Sequence, residues 1–165
     1  MAKFQKKILL VGDFGVGKSS LVERFVYSRF SEEYKSTIGV VISKKEVEVD
    51  GQLVKLLIWD VAGSREIAEV PASYYRGCSG LLYVFDLTRP ETWQGLADRL
   101  NTVRAMSQTD NILIIANKSD LCSREQIEQI LASIDLPVDV VTSARDNDNV
   151  EQSFYQLTRR ILHDG

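Results

Sequence analysis

Short apolar runs alternate with amphipathic segments along this chain, and that alternation restricts the possible folds more than any other feature. Residues 7–11, 80–85 and 112–116 are nearly continuous apolar runs, as is typical of strands buried on both faces. In the segments 96–103 and 150–161 the apolar residues recur at helical spacing. Strands that alternate with helices predict an α/β fold with a mostly parallel sheet covered by helices on both faces.

One pair of strands has a different pattern. Residues 41–49 alternate between apolar and polar side chains, which predicts a half-solvated strand at an edge of the sheet. Asp50-Gly51 is a two-residue hairpin signal, and residues 53–59 return as a strand beside the first run. A last short strand is predicted at 138–141. We expect ligands to bind at the carboxyl ends of the parallel strands.

A glycine-rich loop follows the first buried run. Residues 12–19, GDFGVGKS, match the pattern G-x-x-x-x-G-K-[ST] between a predicted strand and a predicted helix. Glycines let the backbone approach phosphates closely, and the free amides at the helix start bind anions. Lys18 is predicted to contact the β- and γ-phosphates and Ser19 to ligate Mg²⁺. A plain βα turn with a capping serine is the alternative, and the surrounding pattern disfavours it. The residues assigned to the phosphates are Asp13, Phe14, Gly15, Val16, Gly17, Lys18, Ser19 and Ser20.

The motif NKSD at residues 117–120 predicts which base is bound. The carboxylate of Asp120 can accept hydrogen bonds from guanine N1–H and the 2-amino group together. Adenine offers no such pair and would leave the carboxylate unpartnered, which is costly. Asn117 can connect this loop to the phosphate loop, and the stem of Lys118 can cover the ring. By itself the motif could equally be a polar turn, but its register with the phosphate loop favours guanine.

A second segment completes the predicted base site. Ser143, Ala144 and Arg145 follow the short strand at 138–141. The backbone N–H of Ala144 is predicted to bind guanine O6.

These motifs, in this order, resemble those of the Ras superfamily of small GTPases over essentially the whole chain. Residues 37–40 (TIGV), 59–60 (WD) and 74–77 (YYRG) are similar to strings of the Rab branch. The resemblance implies one three-layer P-loop NTPase G domain spanning residues 1–165. It also implies a six-stranded, mostly parallel sheet of order 2-3-1-4-5-6 with the second strand antiparallel at the edge, flanked by five helices.

The resemblance implies further roles for individual residues. Thr37 would ligate Mg²⁺ and sense the γ-phosphate, and Asp60 would hold the ion through water. Phe30 would pack edge-on to the guanine, Tyr34 would close over the phosphates, and the Gly63 N–H would bond the γ-phosphate. The implied catalytic residues are Lys18, Thr37, Gly63 and Ser64, and the implied metal-binding residues are Ser19, Thr37 and Asp60.

Three positions depart from the family pattern. Ser64 stands where the family usually has a Gln that orients the attacking water, and its hydroxyl is too short to reach that water directly. Phe14 is expected to crowd the space beside the γ-phosphate and to obstruct an arginine supplied by a partner. Arg145 replaces a Lys, with little expected effect. We therefore predict intrinsic hydrolysis at or below roughly 3–5 × 10⁻⁴ s⁻¹, unless Arg65 or Glu66 takes over part of the Gln role.

Charge and cysteine content limit the partners. A net charge of −3 gives no electrostatic footprint for nucleic acid, and no apolar run approaches the length of a membrane span. Two cysteines, Cys78 and Cys122, lack zinc-site spacing.

With no cysteine after Cys122, prenylation of a C-terminal cysteine is excluded for this sequence. We therefore expect a cytoplasmic monomer without a direct membrane anchor, whose protein effectors and regulators bind through switch segments near 34–42 and 62–76.

Two other functions remain open at this point. A GTP-binding scaffold that does not hydrolyse its nucleotide would also account for Ser64 and Phe14. A P-loop kinase or ATPase is disfavoured by Asn117 and Asp120 and by the lack of a lid segment. The leading hypothesis is a switch that binds GTP and GDP with Mg²⁺ and hydrolyses GTP slowly.

Overall fold

The computed structural model of the protein describes residues 3–30, 39–61 and 70–164. Its strands are β1 (Lys3–Val11), β2 (Val40–Val49), β3 (Gln52–Val61), β4 (Cys78–Asp86), β5 (Ile112–Asn117) and β6 (Val140–Val141). Its α-helices are α1 (Lys18–Tyr27), α2 (Ala72–Tyr75), α3 (Leu96–Ser107), α4 (Arg124–Ser133) and α5 (Val150–Asp164). Short 3₁₀ helices lie at Pro90–Thr92 and Ser119–Leu121.

The six strands form one sheet in the order β2-β3-β1-β4-β5-β6, as predicted. All neighbouring pairs are parallel except β2 and β3, so β2 is the predicted antiparallel edge strand. Asp50 and Gly51 connect the two with positive φ values of 50° and 77°, as a two-residue hairpin of the type I′ kind requires. The predicted α/β class and strand order are therefore confirmed.

Helices bury both faces of the sheet. On one face α1 and α5 pack together, and the rings of Phe25 and Phe154 stack with centroids 4.1 Å apart. On the other face Leu100 and Val103 of α3 are fully buried against the sheet. The apolar side chains Ile127, Ile130 and Leu131 of α4 pack against the same cluster but are only partly buried, and the sheet beneath α4 ends in the two-residue strand β6.

Two strand boundaries differ from the prediction. β1 begins at Lys3 rather than residue 7, and its first half pairs only with β3, since β4 joins it from Lys7 onward. With one neighbour missing, that half can carry polar side chains. β6 is limited to Val140–Val141, because the Asp139 carboxylate accepts the Ile114 N–H at 2.7 Å where a strand would use a backbone carbonyl.

No helix within the described ranges combines the length and the apolar composition that crossing a membrane requires. The carboxyl ends of β1, β4, β5 and β6 all open toward one edge of the sheet. The loops that leave β1, β5 and β6 carry the predicted nucleotide motifs and, with Asp60 at the end of β3, form the candidate site described next.

Candidate nucleotide-binding site

The phosphate loop turns sharply from β1 into α1. Gly15 and Gly17 adopt positive φ values of 76° and 103°, which glycine reaches without strain. Helix α1 begins at Lys18, and in the described part of the chain no side chain hydrogen bonds to cap it at Gly17. The first amides of a helix have no partner within the helix, so the start of α1 resembles an anion-binding helix start.

Two glycines of the loop have no room for a side chain. A Cβ at Gly12 would lie 2.2 Å from the Val84 carbonyl oxygen of β4. A Cβ at Gly17 would lie 2.3 Å from Asn117 Nδ2. The loop thus fits closely against both β4 and the end of β5, and that close approach depends on glycine at both positions.

Lys18 is nearly buried, with 6% of its surface exposed. Its ammonium donates to the carbonyl oxygens of Gly12 at 2.9 Å and Asp13 at 3.1 Å. Burial lowers the pKa of Lys18 to about 8; Asp60 and Asp13 oppose that change, and Arg89 adds to it. A poorly hydrated cation held against a glycine-rich loop at a helix start is well suited to bind the phosphates of a nucleotide.

A hydroxyl and a carboxylate meet beside the loop. Ser19 at the start of α1 donates a hydrogen bond from Oγ to Asp60 Oδ2 at the end of β3, and Asp60 is 4% exposed. Such a pair of hard oxygen donors suits Mg²⁺, which takes few protein ligands and completes its shell with water and phosphate oxygens. The described residues hold no cluster of three or more His, Cys, Asp or Glu side chains that could bind a metal.

Asn117 links the base loops to the phosphate loop. Its Nδ2 donates to the Val16 carbonyl at 3.0 Å, and its Oδ1 accepts from the Thr142 hydroxyl at 2.9 Å. Asn117 and Thr142 are both buried. One side chain thus joins the phosphate loop to the segments that follow β5 and β6.

Asp120 lies half-buried at the mouth of this arrangement. Its Oδ1 accepts a hydrogen bond from the Ser143 hydroxyl at 2.9 Å, and Ser143 Oγ accepts in turn from the Asp146 amide at 2.9 Å. Ser143 itself is fully buried. These bonds fix the orientation of the Asp120 carboxylate relative to the Ser143–Arg145 segment.

Lys118 spans from the base loop to the phosphate loop. Its Nζ donates to the Gly15 carbonyl at 2.8 Å and forms an ion pair with Asp86 Oδ2 at 2.9 Å. Asp86 ends β4 and is fully buried. Because its ammonium is held at both partners, the Lys118 side chain runs across the site, where its stem can pack against a base.

Comparison with known proteins identifies the family of this chain. The model of the Ras family matches residues 7–163. The chain belongs to the Ras family. It is 38% identical over 161 residues to a fission-yeast protein (Schizosaccharomyces pombe), "GTP-binding protein ypt1", with 94% of this chain and 79% of that protein covered. The chain is therefore a Rab-like small GTPase of the Ras superfamily, an enzyme of the GTP-hydrolysing class.

One contributor to this Ras-family site, Arg24 of α1, was not predicted from the sequence. Its guanidinium donates to the carbonyls of Ala144 at 2.8 Å and Arg145 at 2.7 Å. It also lies 5.9 Å from the ring centre of Phe30. Arg24 therefore joins the predicted base-contacting segment to the predicted base-stacking aromatic. Nothing in the helical pattern of α1 distinguishes it from an ordinary surface arginine.

Other predicted residues have varied environments. Phe14 is 51% exposed, and Phe30 is partly buried against the core. Arg145 is exposed, and Ser20 is half-buried on α1. Four predicted residues lie outside the described residues: Tyr34, Thr37, Gly63 and Ser64.

Proposed function

We propose that this Rab-like GTPase is a Mg²⁺-dependent guanine-nucleotide switch with slow intrinsic hydrolysis. The observation that carries the proposal is the bonding of Asn117 to both Val16 and Thr142. These bonds hold the predicted phosphate loop and the predicted guanine-reading carboxylate of Asp120 in one rigid arrangement. The proposal also includes one G domain over residues 1–165, acting as a cytoplasmic monomer.

Mass identification of the nucleotide that co-purifies with the protein tests the proposal directly. We expect GDP or GTP at near one equivalent, released by denaturation. Titration of nucleotide-free protein with GDP and with ADP then compares the two bases at constant phosphate charge. Equal affinities would contradict the guanine assignment and would favour an ATPase or kinase.

The proposed chemistry consists of positioning and charge stabilisation. The Lys18 ammonium and the amides of the phosphate loop lower the energy of the negative charge that develops on the transferred phosphoryl group. Mg²⁺ held by the Ser19 hydroxyl, by Thr37 and, through water, by Asp60 would neutralise charge on the β- and γ-phosphates. Water is the nucleophile.

Removal of Mg²⁺ is expected to accelerate GDP release. Without the ion, the phosphate charges are left beside the Asp60 carboxylate, which lies in contact with Ser19. We expect excess EDTA to raise the dissociation rate of a fluorescent GDP by at least about tenfold, measured by displacement with unlabelled GDP. Ser19→Ala should respond less to EDTA than the wild type, because it already binds Mg²⁺ more weakly with one ligand missing. An unchanged rate in the wild type would contradict the metal assignment.

Intrinsic GTP hydrolysis is expected to be slow because Ser64 replaces the water-orienting Gln of the family. Single-turnover hydrolysis should proceed at or below roughly 3–5 × 10⁻⁴ s⁻¹. Ser64→Gln should raise the rate if the Phe14 ring leaves room for the water. Ser64→Ala is the matched control, and it should not raise the rate. Wild-type turnover of many per minute without a partner would contradict the proposal.

A non-hydrolysing scaffold is the second candidate, and the same experiment separates it from the switch. Ser64 and the exposed Phe14 ring favour it. Purified protein that holds only GTP, unchanged after long incubation with Mg²⁺, would support the scaffold. Conversion to GDP over hours would support the switch, in which the γ-phosphate orders residues near 34–42 and 62–76 and protein partners recognise the difference.

A further inference from the structure

Two arginines contact the outer side of the phosphate loop. Arg89 follows β4 and donates from Nη1 to the Phe14 carbonyl at 2.7 Å. Arg99 of α3 donates from Nη1 to Asp13 Oδ2 at 2.8 Å. Neither arginine belongs to the phosphate or base motifs. We call this pair, Arg89 and Arg99, the arginine clamp.

Asp13 carries a charge of the wrong sign for its location. Asp13 is 7% exposed and belongs to the loop that is proposed to bind the phosphates. It lies close enough to Lys18 to affect that residue's pKa. A buried carboxylate beside the several negative charges of a nucleotide is repulsive, and burial reduces the screening of that repulsion. Phosphate binding therefore requires that the charge of Asp13 be compensated.

Arg99 is fixed in the position that compensates Asp13. Its Nη2 donates to the Glu91 carbonyl at 2.9 Å, and its positive charge opposes the rise in the Tyr83 pKa that burial causes. With one nitrogen bonded to the Asp13 carboxylate and another to the Glu91 backbone, the guanidinium has little freedom to leave the carboxylate. The pair is largely shielded from water, because the side chains of Arg99 and Asp13 are 25% and 9% exposed.

Arg89 works through the backbone of the same loop. Its guanidinium is 3.2 Å from where a Cβ of Gly15 would lie, so it rests directly against the loop. It pairs with Glu91 at 3.2 Å and is 4.0 Å from buried Asp86, which also binds Lys118. Arg89 thus donates to the Phe14 carbonyl, and Lys118 donates to the next carbonyl, that of Gly15. Both cations lie beside the same carboxylate, that of Asp86.

We propose that Arg99 is a positioning residue that neutralises Asp13 and, together with Arg89, holds the phosphate loop in its nucleotide-binding shape. The segment 89–99 thereby controls nucleotide affinity from outside the predicted motifs. The effect should be larger for a triphosphate than for a diphosphate, because the triphosphate brings more negative charge to the loop. This inference rests on the proposed binding of guanine nucleotides.

A double-mutant cycle on Asp13 and Arg99 tests the charge compensation. The readouts are dissociation rates of fluorescent N-methylanthraniloyl-GDP and of the corresponding non-hydrolysable GTP analogue. Arg99→Leu should accelerate GDP release about tenfold, and release of the GTP analogue by more. Adding Asp13→Asn to Arg99→Leu should bring both rates back to within about threefold of wild type. Arg104→Leu, which removes an exposed arginine from the same helix, is the control and should stay within about twofold.

The double variant separates electrostatic compensation from simple packing. If Arg99 only fills space, Asp13→Asn cannot restore the rates, and a double variant as fast as Arg99→Leu would overturn the proposal. So would an Arg99→Leu variant that behaves like Arg104→Leu. If Arg99→Leu fails to fold by circular dichroism in saturating GDP, Asp13→Asn alone decides. It should slow release of the GTP analogue, because the Arg99 guanidinium then adds uncompensated positive charge beside the loop, and release as fast as in the wild type or faster would overturn the proposal.

The behaviour of the wild-type protein distinguishes failure of the proposed function from failure of the arginine clamp. Wild type that retains neither fluorescent nucleotide would refute the proposed function, and the clamp along with it. Normal wild-type retention with unchanged Arg99→Leu rates would refute the clamp alone.

Arg89→Gln should also accelerate GDP release, with little difference between the two nucleotides, because Arg89 contacts a carbonyl rather than a charge.

Discussion

Asp120→Asn is expected to reduce the affinity for GDP by about a hundredfold or more and to create affinity for xanthosine diphosphate. The proposed contact places the carboxylate against guanine N1–H and the 2-amino group, and an amide cannot accept from both donors. Xanthine carries a carbonyl oxygen in place of the 2-amino group, so the new amide N–H has an acceptor there. The buried polar contact is thus lost for one base and regained for the other.

Competition against a fluorescent nucleotide measures this change in base preference. Asp146→Asn is the matched control, because it removes an exposed carboxylate from the neighbouring loop and should leave the preference for GDP unchanged. Ser143→Ala should weaken GDP binding without inverting the preference, since it removes only the hydroxyl that orients Asp120 at 2.9 Å. A variant at Asp120 that keeps full selectivity for guanine would contradict the base assignment.

Gly12→Ala is expected to lower the free energy of unfolding by about 4 kcal/mol or to prevent folding. The added Cβ would lie 2.2 Å from the Val84 carbonyl oxygen and 3.2 Å from its carbon. These are backbone atoms of β4, which is held between β1 and β5, so the strand cannot move away without breaking the sheet. The added methyl group must therefore displace the phosphate loop itself.

Gly51→Ala is the matched control for this steric effect. Gly51 also has a positive φ, 77°, but among the described residues no atom beyond its own chain neighbours lies within 4 Å of its added Cβ. Its substitution should cost only the left-handed backbone penalty of about 1–2 kcal/mol. Urea unfolding of both variants in saturating GDP measures the difference, and equal losses would show that the Val84 contact does not matter.

The strands could be predicted because burial determines the pattern of apolar residues: burial on both faces gives a continuous apolar run, and burial on one face gives alternation. The runs at 80–85 and 112–116 lie within β4 and β5, and the alternating segment 41–49 lies within β2. The start of β1 could not be predicted this way, because its first half has one neighbouring strand and carries polar side chains. The shortening of β6 could not be predicted either, since it depends on a side-chain bond between Asp139 and Ile114.

The residues of the predicted site can likewise be separated into those that the sequence could predict and those that it could not. Motifs with local spacing, such as the phosphate loop and the segment with Asn117 and Asp120, were visible because their chemistry requires particular residue types at particular positions. Arg24 and Arg99 were not visible, because their partners are 120 and 86 residues away in the chain. An arginine on a helix looks the same in a sequence whether it faces water or a buried carboxylate.

The sequence by itself therefore determined the succession of strands and helices along the chain, the glycine-rich loop and the residue types that are predicted to face a nucleotide. Those properties follow from burial periodicity and from local backbone chemistry, which act over a few residues. Only the tertiary structure decided which charges face each other across the loop, including Asp13 with Arg99 and Asp86 with Lys118. Such pairings depend on distances between segments remote in the chain, and those distances exist only once the sheet and its helices have packed.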